Sequence, residues 1–429
     1  MKRWENQSRI TVGLDFGKSY SIRKLGETAI LENRAYLQFD DNFVANYANP
    51  SPIRLRFDTS LQEGTSDLEG LHGLLHDSLP DGWSRLILDR AIRQAGFDHT
   101  SLNALDRLAL VGTNGSGALT YSGATLPSFK PPSLGFDIVA ALVSGAPDEV
   151  DGDKIQMALN LAGSLGGARP KANIWRNGDS FTTVEATDSS LWMAKFPSKA
   201  DGPDVGAVEY AYSLMAKAAG VEMPDTTLLP STQTAGYFAV ERFDRTREGG
   251  RLHMHSLGGL LNASMANTAL GYRELMKVTG ALTQANGNDI ASIEQQIARM
   301  AFNVFARNRD DHVKNHAFLM DARGAWRSAP AFDLTYSNLQ EHALLVGTAG
   351  RNPASSDMLE VSRAVRISDD RTNAIMKQVR DVIGEWKKFA KDANVSPALS
   401  RDIEASINPP NKGGGERAAF VAFQAGRGR

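Results

Sequence analysis

The residues most suited to chemistry lie in the segment 308–316, which reads NRDDHVKNH. Phosphoryl transfer needs one carboxylate to orient the attacking hydroxyl, and a second carboxylate and a carboxamide to hold Mg²⁺ through hard oxygens. Asp310 precedes Asn315 by five residues, the separation that protein kinases place between catalytic aspartate and magnesium-binding asparagine. Lys314 supplies a counter-charge for phosphate. The spacing predicts a kinase-type catalytic loop.

The elements around this loop are predicted to bring a second carboxylate to it. An amphipathic helix with an apolar stripe from Ile293 to Phe305 precedes the loop. Two short strands, 317–320 and 326–328, follow it and are joined by a turn. Because a hairpin returns the chain, we expect Asp333 to lie close to Asp310 and Asn315. On local sequence alone, a polar loop with an N-cap aspartate remains an alternative, since Asp and Asn favour caps and turns.

Two further motifs upstream could bind phosphate. In the segment 164–171 (SLGGARPK), small residues let backbone N–H groups approach phosphate oxygens and Lys171 adds a positive charge. It lacks the GK[ST] ending of a Walker loop, and an ordinary turn is the alternative. Lys195 lies inside an apolar strand, where an ammonium needs an anionic partner; Glu209, early in the next helix, is the candidate. The alternative is a snorkelling lysine on an edge strand.

Bulk composition excludes several classes of protein. The 429 residues carry 47 basic and 49 acidic side chains, a net charge of −2, which gives no global attraction to nucleic acid or to an anionic membrane. There is no cysteine, so disulfides, thiolate nucleophiles and cysteine-ligated zinc are excluded. No apolar run approaches the roughly 20 residues of a membrane-spanning helix. We expect a cytoplasmic protein without a membrane partner.

The pattern along the chain predicts an α+β fold in four parts. Residues 1–128 read as a β-rich subdomain with one helix from about 81 to 94, in which Trp83, Leu86, Ile87 and Ala91 share one face. Residues 129–245 alternate strands and helices around the 164–171 loop. Residues 246–408 are mainly helical and contain the catalytic loop. Residues 409–429, which begin PPNKGGG, are predicted to form a flexible tail.

Four stretches, in this order along the chain, resemble the HipA family of kinase toxins. They are residues 75–83 (LHDSLPDGW), the 164–171 loop, residues 240–245 (VERFDR) and the Asp310 to Asn315 loop with its downstream Asp333. The resemblance implies a divergent, bilobal protein-kinase-like fold with a helical C-terminal lobe. It also implies a serine/threonine kinase that acts as the toxin of a toxin–antitoxin module, with ATP and Mg²⁺ as cofactors.

The resemblance also implies site residues. Asp310 corresponds to the catalytic aspartate, Asn315 and Asp333 to magnesium ligands, and Ser164 to an autophosphorylation site. The expected nucleotide-binding residues are Gly166, Gly167, Ala168, Arg169, Pro170, Lys171, Lys195, Glu241, Arg242, Phe243, His312 and Lys314, with Glu209 as the partner of Lys195. Residues 241–243 form the hinge around adenine.

The family also implies partners. These are a HipB-type helix-turn-helix antitoxin, through which alone the chain meets DNA, and a protein substrate such as an aminoacyl-tRNA synthetase. Phosphate on Ser164 adds nearly two negative charges where ATP phosphates must bind, which would silence the enzyme.

One departure and two alternatives stay open. Asp311 stands where many relatives have glycine, and a carboxylate beside the catalytic one can perturb metal binding or the pKa of Asp310. The first alternative is an actin-fold small-molecule kinase that uses a phosphate hairpin at Asp15, although a second Asp-Gly-Gly-Gly hairpin is missing. The second is a non-catalytic kinase-like binding subunit. His253 and His255 have zinc-compatible types, but ordinary polar roles are favoured.

Overall fold

The computed structural model describes residues 1–123, 132–145, 151–163, 166–267, 269–287 and 289–408. The strands are β1 (Lys2–Arg3), β2 (Arg9–Leu14), β3 (Arg23–Leu31), β4 (Arg34–Phe39), β5 (Gln62–Glu63), β6 (Phe97–Asp98), β7 (Leu119–Tyr121), β8 (Lys171–Asn177), β9 (Ser180–Thr182), β10 (Ser190–Lys195), β11 (Thr226–Leu229), β12 (Tyr237–Glu241), β13 (His253–Ser256), β14 (Ala317–Met320) and β15 (Trp326–Ser328).

The helices are α1 (Asp41–Asn46), α2 (Gly73–His76), α3 (Gly82–Gln94), α4 (Ala104–Val111), α5 (Phe136–Gly145), α6 (Gly152–Ala162), α7 (Val205–Ala218), α8 (Leu257–Leu261), α9 (Tyr272–Thr283), α10 (Asp289–Phe305), α11 (Ser355–Arg363), α12 (Asp369–Ile383), α13 (Trp386–Asp392) and α14 (Pro397–Ile407).

The N-terminal part is built on an antiparallel sheet with strand order β5-β4-β3-β2-β7. This sheet accounts for the β-rich character predicted for residues 1–128. Alternating residues of β2 and β4 are buried, for example Val12 and Leu37, each fully inaccessible to solvent. This alternation is what a sheet with one covered face requires.

Two details of this region differ from the sequence prediction. Leu86 was expected on the buried face of α3 with Trp83 and Ile87, but its side chain is 58% exposed while theirs are 4% and 0% exposed. Helices α1, α2 and α4 were not predicted, although the start of α4 carries a clear signal. Asn103 and Asp106 form a capping box, in which each side chain accepts a hydrogen bond from the other's backbone N–H.

The middle part contains a second antiparallel sheet, in the order β11-β12-β10-β8-β9. Helix α7 packs on β11 and β12, and its buried face includes Val208, Ala211, Tyr212 and Met215. Lys195 ends β10, the central strand of this sheet, which pairs with β12 and β8. The sheet therefore directs Lys195 toward the segment that follows the catalytic loop.

The C-terminal part is mainly helical around a three-stranded sheet, β13-β14-β15. The predicted hairpin is confirmed as β14 and β15, and the predicted amphipathic helix is α10, which packs between α9 and α12. The sequence did not indicate that β13 would pair with β14. This extra strand fixes the hairpin that leads from Asn315 to Asp333.

The N-terminal sheet is joined to the rest by buried polar contacts. Ser51 Oγ lies 3.0 Å from His255 Nε2, and His255 Nδ1 lies 2.6 Å from the Asp77 carboxylate. These atoms have the order of a serine-hydrolase triad, but Ser51 and His255 are 1% and 0% exposed, so no substrate carbonyl reaches the hydroxyl. The neighbouring His253 Nε2 lies 2.9 Å from the carbonyl of Pro50. Both histidines therefore serve as internal ties between chain segments.

The Asp15 turn, which suggested a phosphate hairpin, is also a junction between segments. Asp15 accepts a hydrogen bond from the Gly17 N–H at 2.8 Å and pairs with Arg251 at 3.3 Å. Gly17 forms a bridge with Gly250, where a Cβ on Gly17 would lie 2.6 Å from the Gly249 carbonyl oxygen. The turn is occupied by protein contacts and does not form the nucleotide site of an actin-like ATPase.

Within the described residues, no helix is both long and apolar enough to cross a bilayer. The domain boundary predicted at 128/129 and the tail 409–429 lie outside the described residues. The four-part division stays a prediction.

Candidate functional site

Lys195 is the centre of a buried ion cluster. Its ammonium donates hydrogen bonds to Glu209 on α7 and to Asp333, and its side chain is only 10% exposed. Burial opposes the charged form, but the Asp333 and Glu209 carboxylates raise the pKa of Lys195. A lysine inside an apolar strand thus has two anionic partners, one of which is the glutamate named from the sequence.

Asp333 has an unusual backbone and an ionised carboxyl. Its φ is +54°, in the left-handed region that non-glycine residues seldom adopt and that is enriched at functional sites. Burial favours the neutral acid, but the nearby Lys195 and Lys171 ammonium groups lower the pKa of Asp333 well below its ordinary value. The side chain is still 41% exposed, so a ligand can reach it.

The catalytic loop is organised by Asn315 and by Arg299 from α10. The Asn315 amide nitrogen donates to the backbone carbonyl of Asp310 at 2.7 Å, and no described residue donates to its amide oxygen. Buried Arg299 donates to the carbonyl of Asn315 and, at 3.5 Å, to that of Phe332. The Arg299 guanidinium therefore links Asn315 in the catalytic loop to Phe332, which directly precedes Asp333. Asp310 projects into solvent, with a side chain 58% exposed.

His312 and Lys314 lie on the same loop as Asp310. His312 Nε2 is 4.0 Å from the Asp310 carboxylate. Lys314 pairs with Asp81 at 3.0 Å. The loop that carries Asp310, His312, Lys314 and Asn315 is linked through Arg299 to Phe332, the residue before Asp333.

The carboxylate of Asp311 is held by hydrogen bonds inside the protein. It is fully buried, and its two oxygens accept hydrogen bonds from the Tyr272 hydroxyl at 2.6 Å and from the backbone N–H of Ala343 at 2.8 Å, with His342 Nδ1 2.9 Å away. The carboxylate points into the helical lobe, and its effect on metal binding stays a prediction. It anchors the catalytic loop.

The Gly loop, residues 166–171, approaches the same site from the other side. Gly167 has φ +104° and its N–H donates to Asp81 at 2.5 Å, while the Pro170 carbonyl accepts from the Phe196 N–H. Lys171 is 4% exposed and donates to the Gly166 carbonyl. Burial lowers the pKa of Lys171 to about 8. Ser164 lies outside the described residues.

Arg169 and Arg242, two of the expected nucleotide-binding residues, contact groups of the protein. The Arg169 guanidinium lies 3.4 Å from Asp201 and 3.8 Å from Glu209. Arg242 is buried and donates to Asp244 at 2.7 Å and to Asn173 at 3.0 Å. Both guanidinium groups are engaged within the fold, and their contact with a nucleotide stays a prediction.

Glu241 and Phe243, the other two residues of the predicted hinge segment, contact neighbouring segments of the chain. The Glu241 N–H donates to the carbonyl of Asp225 at 2.8 Å. Phe243 packs on Phe332 with ring centroids 5.4 Å apart, next to Asp333. The hinge segment thus lies beside the chain that carries the candidate metal ligand.

The donor set fits a magnesium–nucleotide complex and not a protein-only metal cage. Among the described residues, no three His, Asp or Glu side chains cluster as a metal site. Asp333 and the amide oxygen of Asn315 are hard oxygen ligands, and Mg²⁺ characteristically combines one or two such ligands with phosphate oxygens and water. The adjacent Lys171 and Lys195 suit the phosphates.

Sequence reasoning missed two residues of this site. Arg299 was detectable as a single cation within the apolar stripe of α10. Asp81 was noted only as part of the 75–83 stretch, and nothing local indicated that it would contact Gly167 and Lys314, which are 86 and 233 residues away along the chain.

These features define an α+β protein with a kinase-like fold, and comparison with known families gives its relationship. A family model described as the HipA-like C-terminal domain matches residues 163–386, more than half of the chain, and the HipA N-terminal domain model matches residues 20–122. The chain belongs to the HipA family. The predicted fold class and the predicted family are both confirmed.

Individual relatives are distant. The chain is 23% identical over 309 residues to the serine/threonine-protein kinase toxin HipA of Shewanella oneidensis, an alignment that covers 65% of this chain and 66% of that protein, just under two thirds. A solved structure of HipA with HipB and operator DNA from Shewanella oneidensis MR-1 superposes with a TM-score of 0.69 at 18% identity, covering 92% and 96% of the two chains. This likeness concerns the fold.

A weaker similarity is to the proinflammatory kinase CtkA of Helicobacter pylori. The TM-score is 0.34 at 12% identity, over 54% of this chain and 94% of the other. A score this low supports no argument about the present chain.

Proposed function

We propose that this chain is a Mg-ATP-dependent protein serine/threonine kinase. The observation that carries the proposal is the Lys195 cluster, in which one ammonium bonds both Glu209 and Asp333. In protein kinases a strand lysine pairs with a helix glutamate beside a metal-binding aspartate, and both contacts are needed for phosphoryl transfer. The name of the Shewanella oneidensis relative, a serine/threonine kinase toxin, supports the same activity.

Each residue of the site then has a role. The solvent-exposed Asp310 orients the substrate hydroxyl and accepts its proton. Asp333 and Asn315 hold magnesium, which supplies charge neutralisation for the phosphates when bound. Lys195 and Lys171 offset the remaining phosphate charge, and the backbone of residues 166–170 lies over it.

The partners follow from the family. A relative is named a toxin and the solved HipA structure contains HipB and operator DNA. We assign this chain the toxin role in a cytoplasmic toxin–antitoxin module, with a HipB-type helix-turn-helix antitoxin as partner. The net charge of −2 suits contact with DNA only through the antitoxin. The substrate class we propose is a component of translation, such as an aminoacyl-tRNA synthetase.

Ser164 is the proposed autophosphorylation site. It lies two residues before Gly166, whose carbonyl contacts Lys171. A phosphate two residues before the Gly loop adds almost two negative charges and competes with the ATP phosphates for the cations of that loop. Modification at Ser164 therefore switches the kinase off.

Substitution of Asp310 tests the activity. Purified wild-type protein incubated with Mg²⁺ and ATP should gain one phosphate at Ser164, found by intact mass and peptide mapping. Asp310→Ala should slow this transfer by at least about 100-fold, because loss of a positioned base costs that much or more. The matched control is Asp179→Ala, since Asp179 is a fully exposed aspartate at a hairpin tip.

Three outcomes separate the alternatives. Transfer by wild type but not by Asp310→Ala supports the kinase. No transfer by either protein, to itself or to a synthetase substrate, would support a non-catalytic kinase-like subunit and overturn the proposal. Phosphate on another residue would leave the kinase but contradict the role of Ser164.

A further inference from the structure

The side chain of Asp81 points away from the helix that it precedes. Asp81 is the N-cap residue of α3, with extended backbone, a position where aspartate normally accepts a hydrogen bond from the helix's own N–H groups. It makes no such bond. Instead, Oδ1 accepts from the Gly167 N–H at 2.5 Å and Oδ2 accepts from the Lys314 ammonium at 3.0 Å. One carboxylate thus bridges the Gly loop and the catalytic loop.

The backbone beside Asp81 strengthens this bridge. The Trp83 N–H donates to the Gly167 carbonyl at 3.1 Å, so both polar backbone atoms of Gly167 are bonded to residues 81–83. Gly82 has φ +47°, and a Cβ there would lie 2.7 Å from the Gly167 oxygen and 3.0 Å from the Ala168 Cα. The close approach therefore requires glycine at position 82.

The bridge leaves Lys314 competent to bind an anion. An ammonium has three N–H donors, and the contact with Asp81 uses one of them. Both side chains are mostly buried, with exposures of 28% for Asp81 and 18% for Lys314. Burial raises the pKa of Asp81, but Lys314 and the Gly167 N–H lower it further, so the carboxylate is ionised at neutral pH. The Lys314 ammonium is therefore held in place with donors to spare.

We propose that Asp81 is a positioning residue for nucleotide binding, which holds Gly167 and Lys314 in the arrangement that receives the phosphates. The inference rests on the proposed ATP-dependent function. Because Asp81 belongs to the N-terminal part of the chain, it makes retention of the Gly loop depend on that part. Asp81 does not touch the reacting atoms, so its loss should weaken nucleotide binding more than it slows the chemical step.

Binding and hydrogen exchange on the full chain test this inference. Calorimetry with Mg²⁺ and the non-hydrolysable analogue AMPPNP measures Kd, and hydrogen–deuterium exchange of the peptide that contains residues 166–171 measures retention of the loop. Asp81→Ala should weaken AMPPNP binding about tenfold, since it removes two hydrogen bonds to a charged group. It should also speed exchange of the loop without nucleotide and raise KM for ATP more than it lowers kcat.

Two milder variants divide the effect and guard against misfolding. Asp81→Asn keeps an acceptor for the Gly167 N–H but loses the ion pair with Lys314, so it should weaken binding less and leave loop exchange closer to wild type. Gly82→Ala keeps the carboxylate but blocks the close approach, so it should speed loop exchange. Asp89→Asn is the matched control, because Asp89 pairs with Arg107 at 2.6 Å from the same helix and makes no contact with the loop.

The outcomes distinguish this inference from the proposed function. If wild type binds AMPPNP and Asp81→Ala binds it equally well with unchanged loop exchange, only the role of Asp81 is overturned. If wild type binds no nucleotide at all, the proposed function fails and the inference falls with it. An equal effect of Asp89→Asn would show that Asp81 acts only through general stability, which also overturns it. If Asp81→Ala does not fold, Asp81→Asn and Gly82→Ala decide the matter by the same two measurements.

Discussion

The catalytic loop and the Gly loop line the same site but are held in different ways. The catalytic loop is anchored by Asp311, whose side chain is fully buried and accepts from a hydroxyl and a backbone N–H. Arg299, also buried, bonds the far end of that loop. The Gly loop is held by Asp81 and by Arg169, whose side chains are 28% and 34% exposed. The catalytic loop is thus held by fully buried side chains, and the Gly loop is held by partly exposed ones.

This contrast suits the proposed regulation, in which autophosphorylation at Ser164 switches the kinase off. The residues proposed to hold the metal and the substrate must stay in place through every cycle, so they belong on a segment fixed by buried bonds. A loop that must release the nucleotide needs anchors that a new charge can outcompete, and the side chains of Asp81 and Arg169 are more exposed than that of Asp311.

The largest effect is expected at Asp311. Asp311→Ala leaves the Tyr272 hydroxyl, the His342 ring and the Ala343 N–H without their acceptor in the core. The free energy of unfolding should fall by about 3 kcal/mol or more, since buried donors bonded to a charged group are lost together. Urea denaturation followed by circular dichroism measures this, and Tyr272→Phe, which removes one of these bonds, should cost about 1 kcal/mol. An unchanged midpoint for Asp311→Ala would show that the catalytic loop is not anchored by the core.

The second prediction concerns pH and Lys171. Burial lowers the pKa of Lys171 to about 8, so its ammonium is charged below that pH and loses its proton as the pH rises through it. The pKa of Lys195 is instead raised, so Lys195 stays charged. Because kcat/KM reports the free enzyme, its value for ATP should fall about tenfold between pH 7 and pH 9. Lys171→Arg, which keeps its charge, should flatten the profile. A flat wild-type profile would contradict a phosphate role for Lys171.

The smallest effect is expected at Arg169. Its contacts with Asp201 and Glu209 are 3.4 and 3.8 Å long and partly exposed. Removing them in Arg169→Ala should cost about 1 kcal/mol or less, which is no more than about a fivefold rise in KM for ATP. Arg169→Lys, which keeps the charge, should behave like wild type. A rise in KM as large as that of Asp81→Ala would show that Arg169 and Asp81 contribute equally to holding the Gly loop.

Local patterns in the sequence were sufficient for some elements and not for others. The apolar stripe of α10 and the hairpin of β14 and β15 were predictable because periodicity and turn residues act over a few positions. Leu86 has the spacing of a buried residue and is exposed, since burial depends on which elements cover a helix. Asp311 sits beside Asp310 in sequence but faces the opposite way, because its partners Tyr272 and Ala343 come from distant segments.

The sequence by itself determined the side chains available for chemistry and their local order: Asp310 five residues before Asn315, a lysine within a strand, and a glycine pair before Lys171. Only the tertiary structure decided how these pieces combine. It brought Asp333 to Lys195 and Asp81 to the Gly loop, contacts that span 138 and 86 residues. Such contacts arise when sheets and helices pack, and no short-range pattern in the chain encodes which distant carboxylate will meet a given cation.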